Sequence, residues 1–263
     1  MISISNPKMK VEPMKTEANS NLSMRRVLCL IFVPTSLLSL TYVLTGHLLQ
    51  DSIPSLLLFF LLAMFMLFPI QFFVVLSASK KEYGSDTLKS AFSYHQKLSW
   101  WKIALYGSLL WGFAGLMTVT IAPLENMLFA PITERLAHIL PPYFDWNNFE
   151  YLQQYSRNML LFTCFVYFIL NGFVGPIVEE LFFRGYLTAK VDRFGKYTPF
   201  IMTVLFSLYH FWLPFNNLFR IIVFYAAAYV AWKKKNIYIA IVFHVLSNLV
   251  SAVGFIVAVS AYL

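Results

Sequence analysis

Two adjacent glutamates and an arginine four residues on, Glu179-Glu180-x-x-x-Arg184, lie inside an apolar stretch running from Met159 to Leu187. Each charge at such a depth in a bilayer costs at least about 2.5–3.5 kcal/mol on insertion scales, so a segment that only had to span would not keep three. Later apolar stretches carry Phe206-x-x-x-His210 and His244-x-x-x-Asn248. Two carboxylates, an arginine, two imidazoles and an amide inside hydrocarbon read as a reaction centre. A carboxylate there can serve as a general base if its proton affinity lies near the working pH.

Spacing sorts these groups. Residues four apart share a helical face, so Glu180 can pair with Arg184, Phe206 lies beside His210, and His244 and Asn248 point the same way. Glu179 and Glu180 are about 100° apart on a helix and cannot share one job. Glu179 is aimed at the reaction, with Glu180, steadied by Arg184, holding the second histidine or the substrate. The reverse division is equally open to the sequence. Pro176 is expected to kink the helix, so that both glutamates fall in the first turn of a resumed helix, where the dipole favours carboxylate.

Depth supports a common level. Counting helical rise from the flanking lysines, Glu179 is roughly 16 Å from Lys190, His210 roughly 21 Å from Lys196, and His244 and Asn248 roughly 13 and 20 Å from Lys235. All end near the middle of a hydrocarbon core about 30 Å thick. Taken singly, each piece has a bland reading: Glu180–Arg184 as a neutralised structural pair, a histidine or Asn171 as interhelical glue. Only the conjunction on successive spans is specific.

The elements that must position these residues are membrane helices. Of 263 residues 59% are hydrophobic and only 12% charged, about half the usual charged share of soluble domains. The class is all-α, a polytopic membrane helical bundle of seven transmembrane helices, or eight if the last breaks near Gly254. The spans are expected at 27–49, 53–77, 101–122, 159–187, 199–213, 218–232 and 237–263. Residues 1–26 read as a disordered cytoplasmic tail rather than a cleavable signal. Residues 27–123 hold three N-terminal helices, 124–156 an extracytoplasmic loop with an amphipathic helix bent at Pro131, and 157–263 the catalytic core. Cys29 and Cys164 read as small buried hydrophobes, with no disulfide framework.

The net charge of +8 comes from lysines and arginines gathered in every second connection, which points to membrane orientation and not to nucleic acid. The protein is expected in the cell membrane with its N-terminus cytoplasmic and its C-terminus extracytoplasmic. Its reaction cavity is expected at mid-membrane, open toward the cytoplasm.

The three motifs together, over roughly the last hundred residues, resemble the CAAX-protease and bacteriocin-processing (CPBP, or Abi) family of intramembrane peptidases. The resemblance implies that Glu179 and His210 activate a water, that His244 and Asn248 serve the oxyanion, and that Arg184 and Phe206 support the site. It also implies a membrane-embedded peptide or protein as substrate, and the cut is expected near the cytoplasmic half of the bilayer. A bacterial chain would take pheromones, bacteriocin precursors or other membrane peptides rather than prenylated CAAX proteins. His210, His244 and Glu179 could instead be the three ligands of a catalytic zinc. A metal-free glutamate mechanism fits the same residues, and both stay open at this point. The competing function is a non-proteolytic bacteriocin immunity or scaffold protein that sequesters a peptide. A proton-coupled transporter is disfavoured by the single polar cluster and the lack of an internal repeat.

Overall fold

A computed structural model describes residues 21–213 and 215–261, and among these residues there is no strand. Helix α1 spans Met24–Leu49, α2 Ser55–Tyr83, α3 Trp100–Ile139, α4 Arg157–Lys190, α5 Thr198–Leu208, α6 Asn217–Lys234 and α7 Tyr238–Ser260. Most of the expected tail, residues 1–20, lies outside the described residues. Its last residues are placed: the Leu22 amide donates to the Lys190 carbonyl, and Ser23 Oγ caps α1 by accepting from the Arg26 amide.

Five helices among the described residues are long and apolar enough to cross a membrane: α1, α2, α3, α4 and α7. The expected fifth and sixth spans depart from this. Helix α5 has only 11 residues, a rise of about 17 Å or half a hydrocarbon core. Helix α6 has 18 residues but carries Arg220, Lys233 and Lys234. Gly254 lies within α7 and does not break it. Cys29 faces outward while Cys164 is buried, and both thiols are free, so only the second is the buried hydrophobe expected.

Two prolines are absorbed without stopping a helix. Just before Pro69 and Pro176 the helix widens into a π segment, at Ala63–Leu67 and Leu170–Val174, where the chain bonds back five residues. This shifts the ladder past the position where proline has no amide hydrogen. Glu179 and Glu180 therefore sit in the interior of a continuous α4, not at the freshly exposed N-terminus expected from Pro176. Both carboxylates thus lack the adjoining helix N-terminus whose dipole would favour their charge.

The expected boundary at Ala122 is also replaced. Helix α3 continues through Pro123 and Pro131 for 40 residues. Glu125, two residues beyond the first proline, is buried, and its two carboxylate oxygens accept the amides of Leu218 (2.9 Å) and Phe219 (2.7 Å) at the start of α6. That clamp holds the helix in line where an interfacial helix on a separate loop was expected.

Hydrogen bonds define two ends of the bundle. At one, Arg193 donates to the Leu22 carbonyl, the Gln96 amide to the Lys235 carbonyl, and Trp232 Nε1 to Asp192. At the other, Trp146 Nε1 donates to the Tyr42 hydroxyl and the Tyr155 hydroxyl to the Gln50 carbonyl. One apolar core joins α1, α2, α4, α5 and α7, so the N-terminal helices are packed into the same body as the motifs.

Candidate active site

Helix α4 supplies the charges. Its second π segment, Leu181–Leu187, begins immediately after Glu180 and is buried throughout. Gly185 lets α4 close on the short turn Lys89–Phe92: a Cβ there would lie 2.7 Å from the Ala91 carbonyl oxygen. Tyr94 closes the same side by donating to the Arg184 main-chain carbonyl. Burial pushes the Tyr94 phenol up, so it remains a donor.

Glu180, with no exposed surface, is held between two cations or donors. Arg184 Nη1 lies 3.0 Å and His244 Nδ1 2.9 Å from Glu180 Oε1. No N–H of the Arg184 guanidinium makes a well-directed hydrogen bond among the described residues. Its charge is met by Glu180 and by the ring faces of Phe206 at 4.1 Å and Phe224 at 5.4 Å. In this setting the contact is electrostatic and cation–π in character.

Glu179 points elsewhere. Its Oε1 accepts from the Tyr209 hydroxyl at 2.9 Å, and Gln71 of α2 donates to that hydroxyl at 3.3 Å. Its Oε2 lies 3.8 Å from His244 Nε2, too far for a direct hydrogen bond. His244 thus stands between the two glutamates, backed by one and facing the other.

His210 lies just beyond the end of α5, not within a span. Its Nδ1 is 2.8 Å from the Phe206 carbonyl. A carbonyl can only accept, so Nδ1 carries the hydrogen and the neutral ring offers an Nε2 lone pair. The Phe206 ring packs edge-on against both His210 and His244. Asn248 Nδ2 donates to the Asn171 carbonyl and side-chain oxygens at 3.1 and 3.2 Å, and Asn171 Nδ2 donates back to the Asn248 carbonyl.

Glu179, Phe206, His210, His244 and Asn248 all line one cavity of about 1230 Å³, together with Asn171 and Arg220. Glu180 and Arg184 do not reach its wall and lie behind it. The cavity extends past Tyr42, Phe59 and Trp146 toward the end of the bundle away from the lysine-rich connections, whereas an opening toward those connections was expected.

The open chain between α5 and α6 needs partners, because unpaired backbone groups at membrane depth are tolerated only where protein or a cavity satisfies them. Arg220 supplies these, donating to the carbonyls of Ser207, Leu213 and Phe215, while Glu125 takes the amides that start α6. Sequence reasoning missed Gln71, Glu125, Tyr209 and Arg220. Gln71 had a usable signal, being a polar residue in an apolar run, and Tyr209 adjoins a motif histidine. Nothing local marked Arg220.

Among the described residues no group of three or more His, Cys, Asp or Glu side chains is gathered to hold a metal ion. His210, His244 and Glu179, the zinc ligand set considered from sequence, are accordingly not drawn together as a group of three in this arrangement. The His244 ring is aligned by Glu180, and that of His210 by the Phe206 carbonyl.

The family model described as type II CAAX prenyl endopeptidase Rce1-like matches residues 161–250, which contain all three motifs. This segment is similar to that domain, in agreement with the resemblance carried by the motifs. No curated protein and no solved structure gives a significant match to the chain.

Proposed function

We propose that this multi-pass membrane protein is an endopeptidase that hydrolyses a peptide bond in its intramembrane cavity, with Glu179 as general base. The observation that carries the reading is the placement of Glu179. It is a buried carboxylate on the cavity wall, fixed through one oxygen by Tyr209, with its other oxygen facing His244. With these two atoms 3.8 Å apart, a water set beside the pair in the cavity reaches both with hydrogen bonds of about 2.8 Å.

In the proposed reaction Glu179 takes a proton from that water as the oxygen bonds to the scissile carbonyl carbon. The Nε2 lone pair of His210 gives the water a second acceptor. The carbon–nitrogen bond then breaks, and Glu179 returns its proton to the leaving amine, giving a carboxylic acid and an amine. Glu180 orients His244 from behind. When His244 carries a proton, two carboxylates are balanced by two cations, and its Nε2–H can stabilise the oxyanion. Asn248 joins it by exchanging a bond to Asn171 for one to the substrate.

The test is mass spectrometry of membrane peptides from cells carrying the wild-type chain or Glu179→Gln, beside an immunoblot of membrane abundance. The reading requires cleavage products that vanish in the variant at equal abundance. Identical peptide profiles would instead favour sequestration of an uncut peptide.

A further inference from the structure

The cavity's position in the bundle bears on which side of the membrane a substrate comes from. The described residues hold thirteen lysines and arginines around 25–26, 80–102, 190–196 and 233–235, against three acids, Glu82, Asp86 and Asp192. The opposite end has three arginines, 135, 157 and 220, against five acids, 51, 125, 134, 145 and 150. Connections rich in Lys and Arg stay in the cytoplasm. The cavity is lined from the other end: by Tyr42 and Val43 late in α1, Leu56 early in α2, Asp145 and Asn147 beyond α3, and Gly254 late in α7. No residue of the lysine-rich connections lines it.

Between Glu179 and the basic end lie roughly 16 Å of α4. This length is filled by Phe182, Phe183, Tyr186 and Leu187, each at most 5% exposed. A peptide arriving from the basic side would have to pass that plug. From the other side it meets an apolar, aromatic passage larger than the ~300–1,000 Å³ typical of small-molecule pockets, edged by Asp145 and Asn147.

We infer that the site works from the extracytoplasmic face. Its substrate class is an exported peptide, or the outer flank of a membrane-anchored one, that inserts an extended apolar stretch into the cavity. This rests on the peptidase reading for its chemistry, but the side of entry rests on charge and packing alone.

The test has two arms on the full-length chain. In a background of Cys29→Ser and Cys164→Ser, Asp51→Cys, Asn147→Cys and Lys97→Cys are treated with a membrane-impermeant maleimide in intact and in permeabilised cells. Ser52→Cys and Thr87→Cys form a second pair, and immunoblots check abundance. The expected result is labelling of positions 51, 52 and 147 in intact cells, and of 87 and 97 only after permeabilisation. The opposite pattern overturns the inference. In the second arm, fragments lost in Glu179→Gln should map to exported or outer segments, and fragments confined to cytoplasmic segments would overturn it too. The expected labelling with no Glu179-dependent fragment would leave the sidedness standing and remove the peptidase reading.

Discussion

Arg184→Ala removes a charge that is enclosed in the protein interior. In the wild type the guanidinium is 2% exposed, 3.0 Å from the Glu180 carboxylate and 4.1 Å from the Phe206 ring. Truncation leaves Glu180, itself without exposed surface, with His244 Nδ1 as its only close donor among the described residues. Removing one partner of a buried pair costs about 3–5 kcal/mol, because the remaining charge stays desolvated and uncompensated. Replacing both charges by neutral groups is far cheaper, often close to zero. The double variant Glu180→Gln/Arg184→Ala should therefore recover at least half of that loss, since Gln can still accept from His244. A double-mutant cycle on thermal unfolding of the detergent-purified protein, with membrane abundance read in parallel, measures the coupling. An Arg184→Ala protein as stable as wild type, or a double variant no better than the single one, would refute the account of Glu180 as a charge held by compensation.

Glu179→Gln keeps shape and hydrogen bonding to Tyr209 and removes the proton acceptor, so cleavage should fall by at least about 10²-fold at unchanged abundance; full retention of proteolysis would end its assignment as base. Glu125→Ala removes two charge-assisted hydrogen bonds from the start of α6, each worth about 1.5–3 kcal/mol, and should lower the unfolding temperature markedly, whereas Glu134→Ala, on an exposed face of the same helix, should not. Gly185→Ala places a methyl against the Ala91 backbone and should cost about 1–3 kcal/mol by overpacking, visible as reduced membrane abundance. Asn171→Ala frees the Asn248 amide, and limited proteolysis in detergent should show a looser contact between α4 and α7 while the fold persists.

Much of this protein was legible along the chain because a bilayer punishes polar groups so heavily. Charges that survive in apolar runs, Glu179, Glu180 and Arg184, are conspicuous in one dimension, and four-residue spacing alone pairs Glu180 with Arg184. The helical class follows from composition, since backbone groups in hydrocarbon must be bonded within their own segment. What the chain could not express is compensation between segments. Glu125 reads as a surface charge until α6 brings its bare amides to it, and Arg220 reads as a loop cation until the carbonyls of the broken α5–α6 connection surround it. The half-length of α5, which leaves His210 past its end, depends on that pair of distant clamps. Tyr209 and Gln71 acquire a purpose only when α2 and α4 pack side by side. The direction in which the cavity opens was decided the same way, by which side chains between Glu179 and each end of the bundle pack without a gap. Local sequence fixes the cost of placing a polar group in the membrane, while tertiary structure alone determines which partner offsets it.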